Sequence, residues 1–92
     1  MKRFRKKNEE EPTLLDAFKQ GERVYQIYYN PDGTQSEYSG RIVKITQHCI
    51  AVHWDAIDGT PLSNYRIVYN IVHESEVFYG NENASPIKKE NN

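Results

Sequence analysis

Residues 38–59 read YSGRIVKITQHCIAVHWDAIDG, and this stretch decides the fold. Ile42, Val43 and Ile45 make a first apolar run, and Ile50, Val52 and Trp54 alternate with small or polar residues in a second. Alternation with β-branched residues marks half-buried strands. Gln47-His48 is the reversal point between them, so the stretch is a β-hairpin with Val52 expected in the core. Gly40, inside the first strand, implies a bulge or a close backbone approach where the sheet bends.

Working outward, Arg23–Tyr29 (RVYQIYY) supplies the preceding strand. Asn30-Pro31-Asp32-Gly33 is a turn, because Pro fixes the second position and Gly tolerates positive φ. The second strand then runs over 38–46 and the third over 49–55. Asp58-Gly59 marks another reversal, a fourth strand is expected over 62–69, and a short closing strand over 75–79. Ahead of these, Thr13 caps a helix over 14–20, with Asp16 at capping-box spacing, Gly21 as terminator and Leu14, Leu15 and Phe18 as its apolar face. Residues 1–11 and 81–92 are expected to be disordered tails around a domain spanning 12–80. The expected fold is mainly β: a small five-stranded antiparallel barrel with a short N-terminal helix, closed because a flat sheet this small would expose its edges.

Composition narrows the function. The chain has 92 residues and a net charge of -1 from 12 basic and 13 acidic side chains. That length makes one small domain with a thin core, and the seven Tyr, three Phe and one Trp bury large areas per ordered residue. Lys2, Arg3, Arg5, Lys6 and Lys7 crowd the N-terminus, followed at once by Glu9-Glu10-Glu11. A single cysteine, Cys49, excludes an internal disulfide and reads as a strand filler. His48, His53 and His73 lack metal-ligand spacing, and no nucleophile elbow, phosphate loop or dinucleotide fingerprint occurs. The expectation is a non-enzyme without cofactor or metal. No apolar run spans a membrane and no signal-peptide core precedes the domain, so the expected compartment is the cytoplasm.

Gly21-Glu22-Arg23-Val24, Tyr38-Ser39-Gly40-Arg41-Ile42, and Val52-His53-Trp54-Asp55 with Asp58-Gly59 together resemble the Tudor-like branch of SH3-type barrels. The resemblance covers residues 21–79. It implies an aromatic cage for a methylated Lys or Arg, built from Tyr29 or Tyr28, Tyr38, Trp54 and one of Asp55 and Asp58. Ala56 stands where that family usually places an aromatic directly after the acid, so one wall departs from its pattern. The loops after Tyr29 and Trp54 are expected side by side, with Tyr29, Tyr38, Trp54, Asp55, Asp58 and Tyr65 forming one binding face for a protein or peptide. Such a module suits a small adaptor or inhibitor of the kind that phages and mobile elements encode. The alternative is a nucleic-acid-binding barrel, in which Lys2, Arg3, Arg5, Lys6 and Lys7 join Arg41 and Lys44, with Arg23 and Arg66, in a stacking-plus-phosphate surface.

Overall fold

A computed structural model describes residues 13–63 and 68–90. The elements in chain order are α1 (Leu14–Ala17), β1 (Arg23–Tyr29), β2 (Gln35–Ile45), β3 (Cys49–Ile57), β4 (Thr60–Pro61), β5 (Val68–His73), α2 (Glu74–Tyr79) and β6 (Lys88–Lys89). They form one antiparallel sheet in the order β4-β3-β2-β1-β6, with β5 also on the outer edge of β3. The sheet has six strands and is open, where five strands in a closed barrel were expected. Its end strands are not joined to each other among the described residues.

The central hairpin forms where its alternation places it. Thr46 Oγ1 accepts hydrogen bonds from the backbone N–H groups of His48 and Cys49 and so fixes the reversal. Val24, Ile42, Ile50, Val52, Trp54 and Val72 line the concave face and are buried. Leu14, Phe18, Val77 and Ile87 cover them. The bend comes from two register shifts, between Ser39 and Gly40 and between Ile42 and Lys44. In the first, Asp55 is the extra residue, since Ser39 pairs with Ala56 and Gly40 with Trp54. In the second, Val43 is extra. Each bulge reverses the alternation of the strand beyond it, which lets Ile42 and Ile45 both reach the core. Gly40 is required because a Cβ there would run into the backbone carbonyl of His53.

Four expectations need correction. The helix ends at Ala17, not residue 20, because Phe18 is already extended (φ -133°, ψ 160°) and turns into the core. Leu15 is accordingly exposed while Leu14 and Phe18 are buried. Of the fourth strand expected over 62–69, residues 64–67 lie outside the described residues, residues 62–63 are not in a strand, and the described strand runs over Val68–His73. Residues 75–79 are helical, not a strand: His73 Nδ1 accepts from the Ser75 N–H, Glu74 and Glu76 occupy the first turn, and Gly80 ends the helix at φ 70°. Acids in a first turn complement its exposed N–H groups, and of its residues only Val77 is fully buried.

The fourth correction is the C-terminal segment, which packs instead of trailing away. Tyr29 N–H donates to the Asn83 carbonyl, Ser85 N–H to that of Ile27, and Glu90 N–H to that of Arg23. Val24 and Tyr25 pair with Lys89 and Lys88. The cause is Gln26, whose place in the alternation turns it inward, where it is buried. An inward amide needs a partner, and Gln26 Nε2 donates to the Ser85 carbonyl at 2.9 Å. Ser85 Oγ accepts from the Ile27 N–H at 3.0 Å. Beyond Ser85, Ile87 drops into the core with its N–H on the Val77 carbonyl.

Ile87→Ala should therefore cost about 2–4 kcal/mol, a large share of the stability of so small a domain. Urea unfolding followed by tyrosine and tryptophan signals measures it, and an unchanged midpoint would show that residues 84–89 contribute no packing.

Candidate functional site

Three rings converge at one end of the concave face. Tyr28 shares the inward parity of Val24 and Gln26, and Tyr38 opposes Gln26 across the β1–β2 ladder, which makes the two tyrosines diagonal neighbours. Their ring centroids lie 5.2 Å apart. Trp54 meets Tyr38 edge-on at 6.1 Å, in the geometry that ring quadrupoles favour. Tyr28, Tyr38 and Trp54, together with Asn70 from β5, wall a pocket of about 230 Å³. This is below the usual range for drug-sized ligands and suits a single side-chain head.

Of the residues expected in the binding face, the structure brings together Tyr38 and Trp54. Tyr28, not Tyr29, supplies the third ring, because Tyr29 has outward parity and is 44% exposed. Asp55 faces away: as the bulged residue it reaches past β2 at Ser39 and Gly40, the latter without a side chain, to Arg23 on β1. The pair is bidentate, at 2.7 and 3.0 Å, and Glu90 adds a longer contact to Arg23 Nε at 3.7 Å. Asp58 holds the β3–β4 turn at φ 51°, and its Oδ1 accepts from the Glu37 N–H at 2.7 Å. Its backbone N–H donates to the Glu37 carbonyl, and Ile57 pairs with Tyr38. Asp58 and Glu37 therefore lie at the same end of the sheet as the ring pocket, Glu37 with the outward parity of Ile27, and among the described residues no carboxylate lines the pocket wall. Tyr65 lies outside the described residues.

Asn70 escaped the sequence reading. Its polar side chain at an inward position between Tyr69 and Ile71 was the available signal. The β3–β4 turn bonds to Glu37 in β2, and Asn83 bonds to Tyr29 at the end of β1, so both lie toward the same end of the sheet.

The convex face carries the alternative set. Arg41 opposes Arg23 on one side and His53 on the other. His53 stacks on Tyr69 at 4.7 Å, and its Nε2 is enclosed without a hydrogen-bond partner among the described residues. Lys44, Thr46, Cys49, Ala51 and Ile71 line a shallow groove of about 150 Å³, in which Cys49 Sγ lies 3.5 Å from Thr46 Oγ1. Lys2, Arg3, Arg5, Lys6, Lys7 and Arg66 lie outside the described residues. Among the described residues no three His, Cys, Asp or Glu side chains gather as a metal site, and no helix is long and apolar enough to cross a membrane.

Comparison with protein-family models, curated proteins and solved structures finds no significant match.

The Arg23 hydrogen bonds hold the Asp55 carboxyl below its ordinary value, against an opposing contribution from partial burial. A carboxyl depressed in the folded state contributes stability above its unfolded pKa, and this is lost as pH falls through the lower folded value. The stability difference between the native chain and Asp55→Asn should thus be level above about pH 5 and shrink as pH falls below the ordinary carboxylate range. Its size should be at most about 1 kcal/mol, since both side chains are a third exposed. Urea midpoints taken from pH 7 to 2 measure it, and a difference that grows with acid would reverse the assignment.

Proposed function

We propose that this chain is a non-catalytic binding module that takes a Lys or Arg side chain of a protein or peptide partner into the ring pocket. The fold in this reading is an SH3-like, Tudor-like sheet, and the role is that of an adaptor or inhibitor. The observation that supports it most is the convergence of Tyr28, Tyr38 and Trp54 around about 230 Å³. Ring faces attract cations, by about 0.5–1 kcal/mol when exposed and about 2 kcal/mol or more when desolvated. The carboxylates of Glu37 and Asp58, at the same end of the sheet, add longer-range steering and fast association without the cost of burying a charge. Aromatic walls are also ordered before binding, so little rotamer entropy is lost.

A nucleic-acid reading draws support from the convex face, where exposed Tyr69 lies on the same surface as Arg41 and Lys44. It requires heparin retention that falls steeply with salt, through counterion release.

The first reading is tested by titrating short Lys-, trimethyl-Lys- and Arg-bearing peptides, with a norleucine peptide as the uncharged control, and following the Trp54 indole and Asn70 amide resonances. Cationic peptides should shift both and the norleucine peptide neither. Tyr28→Leu keeps apolar bulk but removes the phenol ring, and should weaken binding about tenfold, equivalent to about 1.4 kcal/mol. Lys44→Ala, on the convex face, should leave affinity unchanged. Equal binding by the native chain and Tyr28→Leu would remove the ring pocket from consideration.

A further inference from the structure

Among the described residues every Lys and Arg lies toward one end of the sheet, where Asp16, Glu22, Asp55, Glu74 and Glu90 offset them. The end of the sheet that holds the ring pocket carries Asp32, Glu37, Asp58 and Glu82, and no Lys or Arg among its described residues. Asp32 is held ionised by the Thr34 hydroxyl and backbone N–H, which keep its carboxyl below the ordinary value. Lys19, Arg23, Arg41, Lys44, Lys88 and Lys89 all lie toward the opposite end. There Arg23 is committed to Asp55 and Glu90, and Lys89 to Glu22 at 3.3 Å.

The N-terminal segment has the complementary order. Counting outward from Thr13, Glu11, Glu10 and Glu9 come first, and Lys7, Lys6, Arg5, Arg3 and Lys2 follow. Its attachment point is at the basic end: Phe18, just after α1, lies under Lys89 Nζ at 5.6 Å, and Lys89 pairs with Val24 at the start of β1. The seven residues of β1 span roughly 20–24 Å, at about 3.3 Å per residue. Lys7 and Lys2 stand six and eleven residues before Thr13, giving extended reaches of roughly 20 and 36 Å. The basic run is therefore long enough to span from Thr13 to the acidic end.

We propose that the segment Lys2–Lys7 folds back along its own molecule and occupies the acidic, ring-lined end, competing with any partner for the pocket. This rests on the ring pocket being a cation site. Tethering makes weak affinity sufficient, since a short flexible link gives an effective concentration on the order of mM. Attraction between exposed charges is screened beyond about 8 Å at physiological salt, so occupancy falls as salt rises.

The test compares the full chain with the full chain carrying K2Q, R3Q, R5Q, K6Q and K7Q. The Trp54 indole and Asn70 amide resonances are recorded for both, and a synthetic peptide of residues 1–8 is then titrated into each. The two chains should differ at those resonances at low salt. The peptide should bind the substituted chain at least fivefold more tightly, and the difference should disappear near 0.5 M salt. Identical pocket resonances with equal peptide affinity would overturn the fold-back while leaving the pocket as a cation site. Peptide binding to neither chain would defeat both readings. A spectral difference that fades on dilution would assign the contact to a neighbouring copy and overturn the intramolecular proposal.

Discussion

The structure depends on one steric constraint: the backbone of β3 presses on β2 at Gly40, where no Cβ can be accommodated. The contact is coupled to the bulge that makes Asp55 an extra residue between the Ser39–Ala56 and Gly40–Trp54 pairs. A regular ladder would alternate Trp54 in, Asp55 out and Ala56 in. The bulge instead returns Ile57 to the face of Tyr38, since directly paired residues share a face. It also tightens the bend that brings Tyr28 and Tyr38 around Trp54, and it aims Asp55 across two positions with little or no side chain toward Arg23. The ring pocket on one face and the ion pair on the other are thus two consequences of a single irregularity.

Much of this was legible in the sequence. The residues of β1, the turn at Asn30–Gly33, the hairpin reversal and the bend at Gly40 follow from short-range sterics and alternation. The rest depended on groups distant in sequence. Val77-Phe78-Tyr79 reads as a strand by propensity, but His73, Glu74 and Glu76 start a helix, and tertiary packing buries Val77 and half-buries Phe78 against the core. Residues 81–90 read as a tail because Ala84 and Ile87 are too sparse to show a period. Their order is set by the unpaired edge of β1 and by the buried amide of Gln26, a polar residue whose inward position was visible while its partner was not.

The site was legible in type and blurred in parity. Adjacent Tyr28 and Tyr29 differ only in which face the alternation gives them, and Gln26, polar but inward, disguises that alternation. The acids illustrate a different limit. Asp55 and Asp58 suggested a carboxylate beside the rings, but a bulge residue and a turn residue are placed by backbone geometry, and each has a backbone or ionic partner. Their chemistry is used structurally before any ligand arrives.

The division of labour among the rings follows from burial. Trp54 is 2% exposed and belongs to the core cluster, whereas Tyr28 and Tyr38 are half-buried and only Tyr38 packs against that cluster. Removing Trp54 would take away core and pocket together, so loss of binding in such a variant carries no information about recognition. Tyr28 bridges to Ala84 through its backbone, and its ring packs on Tyr38 and is not part of the core cluster. A small domain has few residues to spare from its core. This one resolves the conflict by placing the indispensable ring at the floor and the adjustable ones at the rim, where a partner's side chain would arrive first.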